Sequence, residues 1–316
     1  MQHSSSSIGS PCVAVVVLNW NGGRMTLDCL ESLRRGTFES LRVIVVDNAS
    51  TDDSVALLSS TVPEVELIAN AVNLGFAEGN NVGIRAALAH GADYVLILNN
   101  DTIVGPHTIE MLVAEAGRLG AGAVSPLIYF AEPDNLIWFA GADFDARRAY
   151  PGRVTGYRER DTGQYSNARS VDRLTGASML VSREAIERTG MFDGDLFFLY
   201  EDVDWSLRMR AAGFHLYVIP EAKVWHRVAA TQSGEHSLTS VYYGVRNQLV
   251  VSRRHAHLGP LQSSLRTVGV LAVNAARLRR TSDRRRGVSA LAQGLVDAAL
   301  GRLGPWETSG EGRPRR

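Results

Sequence analysis

Short apolar runs alternate with helical patterns along the first third of the chain. Four of the runs have the length of a buried strand, at residues 13–18, 41–46, 65–69 and 94–98. Between them, apolar positions recur at helical spacing, as at Leu27, Leu30 and Leu33. Strands that alternate with helices through short loops predict an α/β fold with a doubly wound, Rossmann-like, mostly parallel sheet flanked by helices.

The rest of the chain has a different pattern. The elements predicted next are one helix and four strands, at residues 106–119, 123–130, 174–181, 215–219 and 223–226. Residues 131–170 are rich in Gly, Pro, Arg and Asp with aromatic residues between them, which indicates a hairpin insertion. We expect the later strands to form a smaller mixed sheet.

These patterns predict one large domain with additions at both ends. Residues 1–10 are Ser-rich, lack the basic start of a signal peptide and are expected to be disordered. The remaining predicted boundaries are 11–125 and 126–235 for the two halves of the α/β domain, 236–302 for a C-terminal helical extension, and 303–316 for a disordered tail.

Composition narrows the class of protein. The 316-residue chain is 45% hydrophobic with a formal net charge of zero, which fits a globular protein and argues against a nucleic-acid binder. Basic residues nevertheless concentrate at the end, because 14 arginines and only 4 acids follow residue 245. Cys12 and Cys29 match neither a disulfide framework nor a zinc motif, so we expect a reducing, cytoplasmic setting.

Polar side chains follow two of the predicted strands. Asn99, Asn100 and Asp101 come directly after the run at 94–98, where ligands bind in open parallel sheets. Asp101 is therefore a candidate ligand for a hard divalent cation. The same residues would also suit a plain turn before a helix. Asp47 ends the second strand and would either bond a base or ribose or cap its own turn.

Two common nucleotide motifs are missing from the sequence. A dinucleotide site needs Gly-x-Gly-x-x-Gly between the first strand and its helix, where residues 19–23 read Asn-Trp-Asn-Gly-Gly. A P-loop needs a Gly-Lys pair, and the one lysine, Lys223, follows an alanine. Bound phosphates would therefore need another positive partner, which a cation at Asp101 would supply.

A second acidic segment lies at residues 201–204, which read Glu-Asp-Val-Asp and follow an aromatic loop. Acids at the start of a helix offset its dipole, and this explains one or two of them. Three carboxylates favour a functional interpretation, in which one beside a metal site removes the proton of a hydroxyl. His226 ends a short strand, and a purely structural role for it stays open.

Seven segments, in order, carry a resemblance to a known family. They read VVVLNWNG at 15–22, VVDNASTD at 45–52, NLGFAEGNN at 73–81, LILNNDT at 96–102, GASMLVSR at 176–183, FLYEDVDW at 198–205 and VWH at 224–226. Together they resemble the family 2 glycosyltransferases, and within them a rhamnosyltransferase-like branch that builds bacterial cell-surface glycans. The resemblance covers roughly residues 12–255.

The resemblance implies a GT-A fold and an inverting transfer of a sugar, such as the deoxyhexose rhamnose. The donor would be linked to dTDP, UDP or GDP, and the acceptor would be a hydroxyl of a cell-surface glycan or a lipid-linked sugar. The residues implied to bind the donor are Asn19, Asp47, Asn73, Asn80, Asn100 and Asp101. Asp101 and His226 would hold Mg²⁺ or Mn²⁺, and Asp202 would be the catalytic base.

The acceptor side is less specific. We expect Glu201 and Trp205 near the acceptor. Trp205 and the aromatic residues at 197–200 would stack on a sugar face, although core packing suits them equally well. The chain also departs from the family pattern, because two asparagines precede Asp101 where many members have a carboxylate. That change removes negative charge from the expected metal site.

Two other functions and a membrane contact stay open. A sugar-nucleotide nucleotidyltransferase would need an early Gly-rich loop with Arg and Lys, of which residues 19–24 are a poor version. A non-catalytic glycan-binding relative would be favoured by degraded acidic segments, yet Asp101 and Asp202 are intact. The arginine-rich end would either contact the anionic inner face of the plasma membrane or form a solvated tail.

Overall fold

The structure, a computed structural model, describes residues 10–146, 153–228, 238–278 and 283–306. The expected disorder of residues 1–10 therefore falls almost wholly outside the described residues. Within these ranges the chain forms ten strands and nine α-helices.

The strands are β1 Val13–Asn19, β2 Leu41–Asp47, β3 Glu66–Ala69, β4 Tyr94–Asn99, β5 Thr102–Val104, β6 Ala123–Phe130, β7 Ile137–Phe139, β8 Arg169–Val171, β9 Ser178–Ser182 and β10 Leu216–His226. The helices are α1 Gly23–Arg34, α2 Ser54–Thr61, α3 Gly75–Ala89, α4 Thr108–Leu119, α5 Arg183–Thr189, α6 Glu201–Ala211, α7 Leu238–His255, α8 Pro260–Arg277 and α9 Arg284–Leu300.

One hydrogen-bonded sheet runs through the α/β domain in the order β3-β2-β1-β4-β9-β6-β10-β5, with β7 on β6 and β8 on β10. β1 is parallel to both β2 and β4, and β9 lies antiparallel between β4 and β6. The predicted α/β sheet is confirmed. The strands expected to form a smaller mixed sheet are hydrogen-bonded into this same sheet.

Apolar sequence runs explain the centre of the sheet. The side chains of residues 13–17 in β1 are fully buried, because helices cover both faces of the sheet. α3 lies directly on β1 at Gly83, where an added Cβ would come 2.3 Å from Cγ1 of Val16. A glycine is therefore required at that point of closest approach.

Two strand predictions differ from the structure. The two strands expected at 215–219 and 223–226 are a single strand, β10, with a register shift between Ile219 and Lys223. Pro220 lies in that shift and has no N–H for the ladder, which explains why the sequence looked interrupted. β5 was not predicted, since three residues after a turn carry too little periodicity.

The hairpin insertion predicted at residues 131–170 contains two short strands, β7 and the first residues of β8. β7 pairs antiparallel with β6, and β8 pairs antiparallel with β10. Residues 147–152 of the insertion lie outside the described residues. The segment thus widens the sheet on the side of β6 and β10.

The C-terminal extension consists of α7, α8 and α9, and it differs from the prediction at its end. Residues 303–306 were expected to be disordered, but the ring of Trp306 stacks on Tyr242 at a centroid distance of 4.7 Å. The backbone N–H of Trp306 donates to the hydroxyl oxygen of Tyr243 over 2.6 Å. The contacts of Trp306 outweigh the Gly- and Pro-rich composition, so residues 303–306 are held against α7. Residues 307–316 lie outside the described part.

Two further observations bear on the setting of the protein. Across the described ranges, no helix is both long enough and apolar enough to span a bilayer. Cys12 and Cys29 are both free thiols. The cytoplasmic setting stays a prediction.

Candidate active site

The carboxyl ends of β1 and β2 bring two predicted donor residues together. Asn19 and Asp47 are register partners on these parallel strands. Asn19 Nδ2 donates to Asp47 Oδ2 over 2.7 Å, and both side chains are buried. Ser50 fixes the carboxylate from the other side, because its N–H and its hydroxyl donate to Asp47 over 2.9 and 2.6 Å. The strand-end geometry thus produces a rigid polar patch.

Asn100 joins this patch through a residue that the sequence analysis missed. The Thr26 hydroxyl donates to Asn19 Oδ1 over 2.8 Å and accepts from Asn100 Nδ2 over 3.0 Å. Thr26 is fully buried in the first turns of α1. A threonine in a helical pattern gives no sequence signal for such a bridge. The bridge connects the ends of β1 and β4.

The loop before α3 is held by Asn48, a second residue that the sequence analysis missed. Asn48 Nδ2 donates to Asn73 Oδ1 over 2.9 Å, and its Oδ1 accepts from the Leu74 N–H over 3.0 Å. Asn73, a predicted donor residue, therefore lies beside the Asp47 patch. Asn80 does not open into it, because it is 1% exposed and its amide donates to the Phe76 carbonyl within α3.

Asp101 and His226 come together at the end of β4. His226 Nε2 lies 3.0 Å from Asp101 Oδ1, and both residues are buried. β5 produces this contact, since its antiparallel pairing with β10 sets Thr102 opposite His226. The edge of Trp138 packs on the His226 ring at 4.6 Å between centroids. The pair is therefore fixed by both the sheet and the hairpin insertion.

This pair fits a divalent cation as a partial site. Asp101 Oδ1 and His226 Nε2 face each other at 3.0 Å, so a carboxylate oxygen and an imidazole nitrogen are available at one point. The carboxylate oxygen is a ligand that Mg²⁺ and Mn²⁺ prefer, and the imidazole nitrogen is one that transition metals accept. In the described ranges, no group of three or more His, Cys, Asp or Glu side chains forms a cage. A bound phosphate and water would have to supply the other ligands.

Asp202 lies at the first turn of α6, and β9 brings it to the same edge of the sheet. Its two oxygens accept from the N–H groups of Gly176 and Val203, over 3.0 and 2.7 Å. The next residue, Ala177, accepts from the Asn99 N–H over 3.0 Å, which ties this turn to the end of β4. Burial raises the pKa of Asp202, and its bond to Gly176 and the charge of Arg173 oppose that rise.

Glu201 and Trp205 do not face an open acceptor site. Glu201 is buried, and burial together with the charge of Asp202 raises its pKa well above the ordinary value. Trp205 is completely buried, donates from Nε1 to the Thr189 hydroxyl over 3.1 Å and packs against the ring of Phe192. The predicted acceptor platform at Trp205 is therefore wrong, because the indole belongs to the core.

Asp204, the last acid of the segment, connects α6 to α7. His255 Nε2 lies 2.9 Å from one carboxylate oxygen, and Arg208 Nε donates to the other over 2.8 Å. Arg254 Nη1 makes a further contact with Asp204 at 3.3 Å. Burial alone would raise the pKa of Asp204, but the bonds from His255 and Arg208 outweigh it and lower the pKa to about 2. This acid is structural.

The loop that precedes α6 has a strained backbone. Phe197, Leu199 and Tyr200 have φ angles of 63°, 69° and 73°, in the left-handed region that non-glycine residues avoid. Hydrogen bonds from α3 and α7 hold this strained backbone in place. The Phe197 carbonyl accepts from the N–H groups of Phe76 and Ala77 over 2.7 and 3.2 Å, which joins the loop to the start of α3.

α7 holds the other side of this loop through Arg246 and Asn247. Asn247 Nδ2 lies within 2.9 Å of three loop carbonyl oxygens, those of Leu196, Phe198 and Leu199. Arg246 is fully buried, donates to the Leu196 carbonyl over 3.0 Å and donates to the Gly304 carbonyl over 2.6 Å. Neither residue was predicted from the sequence, because their bonds join segments about 50 residues apart and leave no local signal.

A cleft of about 1290 Å³ lies between the Asn73 loop and the C-terminal extension. Its polar lining includes the acids Glu78, Asp193, Asp195 and Asp297, with Arg302 as the basic residue. Three of these acids are paired with arginines, Glu78 with Arg85, Asp193 with Arg254 and Asp297 with Arg302. Their remaining lone pairs can still accept hydrogen bonds from the hydroxyls of a sugar.

Solved structures identify the class to which this fold belongs. The mannosyltransferase PcManGT from Pyrobaculum calidifontis, solved with GDP-Man and Mn²⁺, matches with a TM-score of 0.56 at 18% identity, over 93% of this chain and 77% of its own. GalNAc-T7, solved with UDP, GalNAc and Mn²⁺, matches with a TM-score of 0.55 at 15% identity, over 75% of this chain and 51% of its own. The fold is that of the GT-A glycosyltransferases.

The sequence places the protein more narrowly. Residues 10–240 match the family described as glycosyltransferase like family 2, and the chain belongs to that family. A Mycobacterium tuberculosis relative named N-acetylglucosaminyl-diphospho-decaprenol L-rhamnosyltransferase is 28% identical over 298 residues, which are 86% of this chain and 94% of the relative. The dTDP-rhamnosyl transferase RfbF of Shigella flexneri is 29% identical over 236 residues, 72% of this chain and 75% of its own. The protein is thus a rhamnosyltransferase-like glycosyltransferase, and the nucleotidyltransferase and glycan-binding alternatives are not supported.

Replacing Asn247 with alanine should loosen the loop before α6. The carbonyls of Leu196, Phe198 and Leu199 lose the donor that they share, so we expect the free energy of unfolding to fall by about 2–3 kcal/mol and glycosyl transfer to fall with it. Urea denaturation and turnover measure the two effects. Arg253→Ala is the control, because Arg253 also lies on α7 but donates to Ala298 at the far end. Full turnover in Asn247→Ala at a temperature where it is folded would contradict this role.

The ion pairs of Asp204 should make the free energy of unfolding depend on pH. The pKa falls from 3.8 to about 2 on folding, so the stabilisation is complete above the unfolded value and is lost as the pH drops towards the folded one. The full effect is about 2 kcal/mol, and roughly half of it should be gone by pH 3. Urea denaturation of the wild type and Asp204→Asn between pH 6 and pH 3 tests this, since the difference between the two proteins should shrink with acid. A constant difference would count against the low pKa.

Proposed function

We propose that the protein is an inverting, divalent-metal-dependent glycosyltransferase. It transfers a deoxyhexose such as rhamnose from a nucleotide-diphosphate donor to a hydroxyl of a glycan or lipid-linked acceptor. The observation that carries this proposal is the position of Asp202. It accepts from the Gly176 N–H in the turn before β9, and the next residue of that turn, Ala177, bonds the end of β4, beside which Asp101 and His226 lie. A base and a cation site at one sheet edge are what a direct displacement of a diphosphate requires.

The donor would lie across the ends of β1, β2 and β4. Asp47 and Asn19 form a fixed polar patch suited to a ribose or base. Asn100 and Asn73 extend the patch on either side, through Thr26 and Asn48 respectively. Preorganised side chains of this kind hold a ligand without reorganising when it binds. The named M. tuberculosis and Shigella relatives support rhamnose, with dTDP as its carrier.

Asp101 and His226 would hold the cation beside the donor diphosphate. When bound, Mg²⁺ or Mn²⁺ supplies Lewis-acid stabilisation for the negative charge that develops on the leaving diphosphate. The chain contributes a buried, rigid pair, so the charge is placed in a water-poor setting where it acts strongly. The asparagines before Asp101 leave this carboxylate as the acidic ligand from that turn.

Asp202 would take the proton of the acceptor hydroxyl. Its two backbone donors fix the carboxylate in position, while burial raises its pKa towards the range in which a base works best. Asp202 is partly exposed, in contrast to its buried neighbours Glu201 and Val203. It is therefore the acid of this segment that a substrate can reach.

The acid-lined cleft beside Asn73 is the proposed acceptor site. It borders Phe197, the first residue of the strained loop that leads to Asp202. Carboxylates in the cleft can accept hydrogen bonds from sugar hydroxyls, and the cleft has room for more than one sugar unit. An acceptor carried on a lipid would bring the enzyme to the inner face of the plasma membrane.

Asp202→Asn should abolish transfer and spare donor binding. The amide cannot take a proton, so we expect turnover to fall by roughly 10²–10⁴-fold. Donor binding is measured by the rise in melting temperature with dTDP-rhamnose and Mn²⁺, which should match that of the wild type. Burial raises the pKa of Asp202. The wild type should therefore lose activity on acidification at a pH above the range in which an aspartate usually titrates.

The control for this variant is Glu184→Gln, which changes an exposed carboxylate on α5 and should leave turnover unchanged. Near-full turnover in Asp202→Asn would show that another group is the base. If no nucleotide sugar raises the melting temperature of the wild type, the donor assignment is wrong instead.

Asp101→Asn should weaken donor binding only where metal contributes. Without the carboxylate charge, the melting shift with dTDP-rhamnose and Mn²⁺ should fall to the level measured in EDTA. Asp93→Asn is the matched control, because Asp93 lies at the opposite end of the same strand and bonds the Cys12 N–H. A metal-dependent shift that survives in Asp101→Asn would place the cation elsewhere.

A further inference from the structure

α8 has a buried face and an exposed face on opposite sides. On its inner face Val270 and Asn274 are buried, and Arg266 reaches across to the ring of Phe144 at 5.8 Å. Arg266 also donates to the Asp145 carbonyl over 3.2 Å. These contacts fix the orientation of the helix on the protein, so its outer face has one defined direction.

The outer face of α8 is aliphatic. Leu261, Leu265 and Val268 are exposed by 74%, 53% and 63%, and exposed Ala272 continues the line. Their spacing of four, three and four residues places them on one side of a helix. The described residues of α8 and the turn before it, from Ala256 on, contain no acid. Leucines exposed in a row are unusual on a protein surface and mark a binding face.

α9 repeats the arrangement. Val288, Val296 and Leu300 are exposed by 56%, 49% and 59%, with exposed Ala292 between the two valines. The opposite side of α9 packs closely on α7, where a Cβ on Gly294 would lie 2.7 Å from the Tyr242 carbonyl oxygen. α8 and α9 contact each other, and each is anchored to α7. The two outward aliphatic rows are here called together the aliphatic face.

Arginines outnumber acids in the segment of sequence that carries the aliphatic face. Between residues 256 and 306 the sequence has eight arginines and two acids. The acids are occupied, since Asp297 accepts from the Tyr242 hydroxyl over 2.8 Å and Asp283 caps α9 by accepting from the Arg286 N–H. Arg284, Arg285 and Arg286 are exposed at the start of α9. This surface therefore combines exposed leucine and valine with positive charge.

We propose that the aliphatic face docks on an anionic lipid bilayer. Aliphatic side chains enter the boundary between headgroups and acyl chains, and arginines pair with the phosphates above it. The charge argues against a second copy of this chain as the occupant, because it would bring two arginine-rich surfaces together. A bilayer with acidic lipids has the complementary charge and the apolar interior that the two helices present.

This inference deepens the proposed function, on which its link to a lipid-linked acceptor rests. α7 connects the aliphatic face to the loop before α6, since it packs against α9 at Gly294 and holds that loop through Asn247. A membrane bound at α8 and α9 would therefore contact the same helical extension that shapes the acceptor side of the site.

Vesicle flotation of the whole protein tests the proposal without donor, metal or acceptor. The wild type should float with phosphatidylcholine vesicles that contain phosphatidylglycerol and should stay behind with phosphatidylcholine alone. A triple variant, Leu261→Ser with Leu265→Ser and Val268→Ser, should lower the affinity about tenfold or more. Arg284→Gln with Arg285→Gln should lower it by a similar factor and reduce its salt dependence.

Tyr157→Ser is the control, because Tyr157 is 48% exposed but lies in the hairpin insertion. Melting curves should match the wild type for all variants, since the changed side chains are exposed. Failure of the wild type to float with acidic vesicles overturns the proposal and leaves the proposed transfer reaction untouched. Gel filtration that shows a wild-type dimer and a monomeric triple variant, without vesicle binding, would make the aliphatic face a self-association surface instead.

Discussion

The register of parallel strands is the constraint on which the site depends. β1, β2 and β4 are parallel and in step, so Asn19, Asp47 and Asn99 end at one edge of the sheet. Hydrogen bonding between backbones fixes this alignment before any side chain takes part. The antiparallel strand β9 starts beside the end of β4, and the Gly176 N–H in the turn before β9 donates to Asp202. Residues from distant parts of the chain meet at this edge because the ladder leaves them no other position.

The C-terminal helices hold part of the α/β domain in place through hydrogen bonds. A loop with three non-glycine residues at positive φ costs roughly 1 kcal/mol or more for each of them, and nearby bonds must offset that cost. Arg246 and Asn247 supply those bonds from α7, and Asp204 ties α6 to the same helix. The three acids at 201–204 therefore lie in three different environments, although they are close in sequence. Asp202 accepts from two backbone N–H groups, Glu201 is buried with a raised pKa, and Asp204 is ion-paired.

Most of the sheet and the strand-end residues could be predicted from the sequence, because apolar runs and their polar ends are local signals. Asp47, Asn100 and Asp101 lie where the pattern predicted them. The role of Trp205 could not be read, since an indole that packs in the core has the same local signal as one that stacks on a ligand. Thr26 and Asn247 were missed because their bonds join segments far apart in the chain, and no periodicity records such contacts.

The contacts of the loop before α6 also set an order of events during synthesis. Its carbonyls are held by residue 76 on one side and by residue 247 on the other, while Arg246 reaches on to Gly304. A chain emerging from the ribosome therefore carries its strand-end residues long before the helix that holds the loop exists. The loop before α6 therefore acquires its full set of hydrogen bonds only when nearly the whole polypeptide has been made.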